Sequence, residues 1–110
     1  SFIDMSYRYM RILVLFDLPV QTSLDRREYT KFRKHLIKSG FFMLQESVYC
    51  KISLNSGMSE AIVDNLRKNK PKVGLVQVLK ITEKQYSRME CIIGKHETDV
   101  LNSDERLVIL

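Results

Sequence analysis

Asp17 is the acid whose setting invites chemistry. It follows the apolar run Ile12-Leu13-Val14-Leu15-Phe16 and precedes Leu18-Pro19, where a buried strand should give way to a loop on a rigid frame. A carboxylate there can hold a hard cation such as Mg²⁺ through oxygen. One carboxylate makes a poor site, but a two-fold dimer would present two Asp17 side chains across its axis. A divalent cation would relieve their repulsion and could polarise a phosphate oxygen and acidify a water. Asp is also a common turn former ahead of a proline, and that plainer role competes with the first.

The second group is cationic. Arg27, Lys31, Lys34 and Lys38 recur at i, i+4, i+7 and i+11, which is one row on a helix. Arg26 and Arg33 widen the row, and Arg67, Lys68, Lys70 and Lys72 form a second cluster. If ~6 of these cations met phosphates, log affinity would fall against log salt with a slope of about −5. A solvated helix face has the same composition, so the row alone does not decide. Aromatic interleaving is weak. Gly40-Phe41-Phe42 matches only a fragment of an RNA-recognition strand, which argues against stacking on single strands.

Other chemistries lack their residues. His35 lies on the basic helix and His96 in a polar loop, with no second ligand at metal spacing. Ser47 has no base near it in sequence, and the four glycines are isolated, so neither a nucleophilic serine nor a phosphate loop is indicated. Cys50 and Cys91 sit in apolar runs, where a thiol serves as a small hydrophobe.

These groups must be positioned by a small frame. The 110 residues carry 18 Lys+Arg against 13 Asp+Glu, a formal charge of +5, and the pI is near 9.3. That balance favours a polyanionic partner, although it also suits a merely soluble domain. The length allows one domain, read here as residues 5–110, with Ser1-Phe2-Ile3-Asp4 as a remnant ahead of a native Met5. No apolar run approaches the ~20 residues of a membrane span, and no signal peptide is evident. The cytoplasm is the expected compartment.

The expected elements follow from pattern. Tyr9 to Phe16 reads as a buried strand stopped by Pro19. Thr22-Ser23-Leu24-Asp25 matches a capping box, and Asp25, Tyr29, Phe32 and Leu36 give the inner row of a helix that Gly40 ends. Phe41 to Ser53 is extended, as two short strands or one bent strand. Asn55-Ser56-Gly57 opens a second helix, with Met58, Ala61, Ile62 and Leu66 inward and Pro71 beyond its end. Val73 to Ile81 is a strand, Thr82 to Met89 a short helical turn, Cys91-Ile92-Ile93-Gly94 a short strand and Arg106 to Leu110 a last extended segment. The order predicts an α+β ferredoxin-like β-α-β-β-α-β sandwich with an extra C-terminal strand. Two helices would cover one face of an antiparallel sheet. The other, open face would ask for a partner, most simply in a homodimer.

The ordered set of short motifs resembles one family. Tyr7-Arg8-Tyr9-Met10-Arg11-Ile12, Phe16-Asp17-Leu18-Pro19, Tyr29-x-x-Phe32-Arg33-Lys34, Gly40-Phe41 and Gln45-x-Ser47-Val48-Tyr49 look like the CRISPR-associated Cas-two proteins. So do Thr82-Glu83-Lys84-Gln85-Tyr86 and Asn102-Ser103-Asp104-Glu105-Arg106, and the form is that of type II-A streptococcal systems. The resemblance implies a ferredoxin-like homodimer in which Asp17 binds Mg²⁺ at the dimer axis. It implies a metal-dependent endoribonuclease, some members of which cut duplex DNA. It further implies a bridge between two dimers of the Cas-one integrase during spacer acquisition. The tail Glu105, Arg106, Leu107, Val108, Ile109 and Leu110 would contribute dimer or integrase contacts.

Two functions of different class remain open. In the first, Asp17 is the catalytic and metal-binding residue of a nuclease acting on RNA or DNA. In the second, Arg26, Arg27, Lys31, Arg33, Lys34 and Lys38 bind duplex DNA on a scaffold that performs no chemistry. A single strong acid per chain favours the scaffold, because two-metal nucleases draw on several carboxylates. Glu46 and Asp99 are candidate supplements, with nothing in the sequence to place them near Asp17.

Overall fold

The computed structural model describes residues 9–94. The elements are β1 (Met10–Asp17), α1 (Ser23–Lys38), β2 (Phe42–Gln45), β3 (Val48–Ser53), α2 (Ser56–Lys68), β4 (Leu75–Thr82) and α3 (Glu83–Ser87). The four strands form one sheet in the order β2-β3-β1-β4, with every neighbouring pair antiparallel. This is the ferredoxin-like arrangement expected from the sequence. The 41–53 stretch resolves into two strands, with a register shift between Met43 and Gln45. The final segment Glu105–Leu110, and His96 and Asp99, lie outside the described residues.

β1 is central because its apolar run can be buried on both faces. Ile12, Val14 and Phe16 point to the helices and join Phe32, Leu36, Tyr49, Ile62 and Leu66 in the core. Strand alternation sends Arg11, Leu13, Leu15 and Asp17 to the opposite face. Helix α1 begins as its sequence dictates: Thr22 Oγ1 accepts from Asp25 N at 3.0 Å, and Asp25 Oδ2 accepts from Thr22 N at 3.1 Å. Phe32 and Leu36 are its buried residues. At its end Gly40 takes φ +93, and Lys51 Nζ donates to the Ser39 carbonyl at 2.5 Å. A cation there complements the negative end of the helix dipole.

Helix α2 starts at Asn55, whose Oδ1 accepts from Met58 N at 2.8 Å. Its inner face is Ser59, Ile62 and Leu66. Ala61 is exposed, contrary to expectation, because Ser59 takes the inner place and meets Ser53 Oγ at 2.7 Å beneath the helix start. The strand expected from Val73 starts only at Leu75. Gly74, at φ +102, is packed so closely that a Cβ would lie 2.8 Å from the Asp17 carbonyl oxygen and 2.7 Å from Leu18 Cδ2.

The sheet face away from the helices is not wholly open, and the expectation is corrected there. Helix α3 packs against β4 and β1, held by Arg11. The Arg11 Nε lies 2.5 Å from Glu83 Oε1, its guanidinium carbon sits 4.1 Å from the Tyr86 ring centroid, and Nη1 reaches Cys50 Sγ at 3.8 Å. Beyond α3 the chain runs beside Leu44 and Gln45 of β2. There the expected strand at residues 91–94 does not form. Gly94 turns the backbone to φ +87, and Ile92 and Ile93 stay 90% and 94% exposed. Leu75, Leu79 and Ile52 also remain exposed on this sheet face. No helix among the described residues is long and apolar enough to cross a membrane.

Gly74→Ala should destabilise the protein by about 2–4 kcal/mol, combining a left-handed backbone with overpacking against Asp17 and Leu18. Gly94→Ala, whose Cβ would meet nothing within 4 Å, should cost only about 1 kcal/mol. Urea midpoints of the two variants check the difference, and equal costs would refute the packing explanation.

Candidate functional site

Asp17 is the exposed last residue of β1, paired with Leu75 of β4. Buried neighbours fix it on both sides: Phe16 and Leu18 are 5% and 8% exposed. Phe16 N donates to the Ser47 carbonyl at 3.0 Å, which ties this strand end to the β2–β3 turn, and Gly74 closes against its own carbonyl. The carboxylate is therefore presented from a rigid backbone. Among the described residues no group of three or more His, Cys, Asp or Glu side chains is placed to hold a metal ion. Glu46 lies in the β2–β3 turn but forms no such group with Asp17. Among the described residues Asp17 thus has no metal-holding cluster about it. Such a carboxylate suits Mg²⁺ only where a second carboxylate or substrate phosphates complete the shell, since this ion retains waters and takes few protein ligands.

The basic row divides by what each side chain touches. Arg26 Nη1 donates to the carbonyls of Val20 and Gln21, both at 3.1 Å, and braces the β1–α1 loop. Arg33 Nε donates to the hydroxyl of Tyr49 at 2.9 Å. Since Tyr49 is fully buried, this bond satisfies its polar tip at the edge of the core. Arg27, Lys31, Lys34 and Lys38 are exposed. Arg27, Lys31 and Lys34 line one shallow groove together with Ser23 and Thr30. A second groove joins Lys31, Lys34 and Lys38 of α1 to Lys68 and Lys70 at the end of α2. Two clusters far apart in sequence therefore share one surface. Arg67 is turned to Asp64, at 2.7 Å.

Arg11, the residue that organises the opposite sheet face, was not among the sequence candidates. Its signal is a lone cation in a strand that is otherwise apolar, a placement that costs free energy unless a partner is supplied. Burial works against its charge, but the hydrogen bonds to Glu83 and Cys50 outweigh it and leave its pKa above the ordinary value. Burial pushes the Cys50 thiol up, against the downward pull of Arg11. Cys91, by contrast, is an exposed free thiol.

A lone acid on a rigid strand end and a basic helical face are carried on a four-stranded antiparallel sheet in the order β2-β3-β1-β4, which is the architecture of a ferredoxin-like protein. Residues 10–89 match the model of the family described as CRISPR associated protein Cas2, and the chain belongs to that family. A Treponema denticola protein named CRISPR-associated endoribonuclease Cas2 is 57% identical over 101 residues, covering 92% of this chain and 100% of that relative. A protein of the same name from Streptococcus mutans serotype c is 45% identical over 101 residues, covering 92% and 93%. A solved structure titled "Crystal structure of cas2" superposes with a TM-score of 0.56 at 18% identity, over 81% of this chain and 91% of that one. That last likeness concerns the fold.

The raised Cys50 pKa has a definite sign. Its folded value exceeds the unfolded one, so the stability it contributes is complete below the ordinary thiol value of about 8.5 and is lost as pH rises through the folded value. The stability difference between the wild type and Cys50→Ala should therefore shrink as pH rises above the ordinary thiol value of about 8.5. Urea unfolding of both proteins across that range measures it, and a constant difference would refute the shielded thiol.

Proposed function

We propose that this protein acts in CRISPR adaptation as a two-fold scaffold that binds duplex DNA and spaces the subunits of the Cas-one integrase. The observation that carries the reading is the exposed row Arg27, Lys31, Lys34 and Lys38 on α1, set against the absence, among the described residues, of a metal-holding cluster around Asp17. A phosphate backbone lies along such a row without demanding base contacts. Arg26 and Arg33 act beside the row chiefly as braces, holding the α1 start and the α1–β3 contact in place. The dimer reading draws support from Leu75 and Leu79, 53% and 51% exposed on the sheet face that carries Asp17. A second copy seated there would bury apolar surface at about 25 cal/mol per Å² and bring two carboxylates toward one axis.

A second reading is favoured by one specific observation, the rigid presentation of Asp17 at a strand end. In it the protein is an endoribonuclease, the activity that its relatives' names carry. Asp17 would hold Mg²⁺ across the two-fold axis, and the protein's own part is to fix the carboxylate and exclude competing geometries. The cation supplies charge neutralisation to a phosphate and a more acidic water when bound. The basic face would retain the substrate strand, and Gly74 would keep the β4 start from displacing the Asp17 backbone.

Asp17→Asn should reduce Mg²⁺-dependent cleavage of RNA or duplex DNA by at least about a hundredfold, while spacer integration with the Cas-one integrase stays within about twofold of wild type. Gel assays of cleavage and integration on the same preparations measure both. Integration that falls with cleavage would overturn the scaffold reading. Cleavage that survives the substitution would overturn the Asp17 site. For the dimer, Leu79→Lys should weaken self-association at least about tenfold, equivalent to about 1.4 kcal/mol, as read by sedimentation equilibrium. Unchanged association would place the interface elsewhere.

A further inference from the structure

We infer that α3 is a latched cover. Arg11 holds it shut over the middle of the sheet face that lies away from α1 and α2, and so confines the apolar surface open to a second copy to the β4 side of that face. The inference rests on the self-association reading above and adds what sets the limits of that surface.

The strand register lines up one row of side chains across this face. Phe42 of β2 pairs with Cys50 of β3, Cys50 pairs with Leu13 of β1, and Leu13 pairs with Leu79 of β4. Directly paired residues point to the same face, so a bare sheet would leave the whole row in water. The ends of the row do meet water, with Phe42 and Leu79 38% and 51% exposed. The middle does not. Cys50 and Leu13 are 0% and 6% exposed, and neither belongs to the core cluster beneath the helices. Their cover must therefore lie on this face, and Arg11 supplies part of it from the adjoining row. Its Nη1 lies 3.8 Å from Cys50 Sγ, and its guanidinium carbon is 5.9 Å from the Phe42 ring centroid and 4.1 Å from that of Tyr86. Thiol, guanidinium and the α3 ring form a stack.

α3 has five residues and none of them is buried. So short a helix does not stand alone. The Thr82–Gln85 capping box, with bonds of 2.8 and 3.0 Å, and the Ser87 Oγ bond to the Lys84 carbonyl at 2.7 Å keep the turn wound. None of these bonds reaches the underlying sheet. Two attachments that do reach it end on one side chain: the Arg11 Nε pair with Glu83 Oε1 at 2.5 Å, and the Tyr86 ring over the same guanidinium. A fork of fixed donors with a flat face can hold a carboxylate, a thiol and a ring together, which a lysine cannot do. Losing that one side chain releases both attachments, which is the property of a latch. With the cover shut, Leu75, opposite Asp17, and Leu79 remain open. With it open, Leu13 and Cys50 join them, and the apolar surface runs on to Phe42.

The test uses the full chain carrying Cys91→Ser, which leaves Cys50 as its one thiol, and follows alkylation by iodoacetamide under native conditions. A covered thiol reacts through opening, at a rate proportional to the open population. Glu83→Gln, Tyr86→Ala and Arg11→Ala should each raise that rate at least about tenfold, as the loss of a charge-assisted bond or a cation–π contact implies. The faster reaction should be nearly independent of urea at low concentration, the mark of local rather than global opening. Adding Glu83→Gln to Arg11→Ala should change the rate by less than about twofold, because both remove the same latch. Sedimentation equilibrium should show larger species for the opened variants than for the wild type at equal concentration. The inference is overturned if Glu83→Gln and Tyr86→Ala react at the wild-type rate, if the acceleration climbs steeply with urea from the outset, or if the opened variants associate as the wild type does. A wild type that stays monomeric while the latch variants still react faster would overturn the self-association reading alone.

Discussion

Everything in this fold depends on the placement of β1 between two antiparallel neighbours. With β3 on one side and β4 on the other, its backbone donors and acceptors are engaged along both edges, and its side chains must be sorted between two faces. Because the side-chain period is two residues, a slip of one position against β4 would carry Ile12, Val14 and Phe16 out of the core and drive Arg11 and Asp17 into it. The penalty for burying a cation and a carboxylate without partners forbids that exchange. Register, core and the location of the acid are one constraint, and Gly74 completes it by letting the start of β4 close against Asp17.

The local signals in the sequence were the readable part. The Thr22–Asp25 capping box, the inner positions Phe32 and Leu36, Gly40 after α1 and Pro71 after α2 act over a few residues, and each is where its chemistry places it. Asp17 at the strand end was legible for the same reason. What the sequence did not disclose depends on pairs remote along the chain. Arg11 meets Glu83 and Tyr86, Arg33 meets Tyr49, and Lys51 caps α1, all through tertiary placement. The convergence of Lys68 and Lys70 with the α1 row requires knowing how two helices cross. The expected strand at 91–94 had apolar content but forms no ladder, because composition alone does not make one. Ser59 rather than Ala61 lies inward on α2, where its hydroxyl and that of Ser53 bond each other and the Asn55 carbonyl, so that burial leaves neither unsatisfied.

The cations separate by type in a way that follows their chemistry. Arg11, Arg26, Arg33 and Arg67 each spend a directed N–H on a group of the protein itself: a carboxylate and a thiol, loop carbonyls, a phenol, and a neighbouring acid. A planar guanidinium with fixed donors is well suited to such struts. Most of the lysines of α1 and the end of α2 instead sit on the outward surface, where a hydrated point charge on a flexible stem stays in water. Lys51 at the α1 end and the exposed Arg27 are the exceptions to the division. The net charge of the chain therefore understates the contrast between its structural and its solvent-facing cations. A count of basic residues could not reveal that contrast.

The central position of β1 also bears on how the chain is made. Its β4 partner is synthesised long after it, and at about 5–20 residues per second several seconds separate the two strands' emergence from the ribosome. Through that interval β1 has helix α1 and the β2–β3 hairpin for company, but its other edge is unfilled, a template for any extended chain nearby. The late arrival of Leu75–Thr82 is thus the step that seals the sheet. The nascent protein carries its greatest exposure to wrong pairing in the window just before the last third of its sequence is translated.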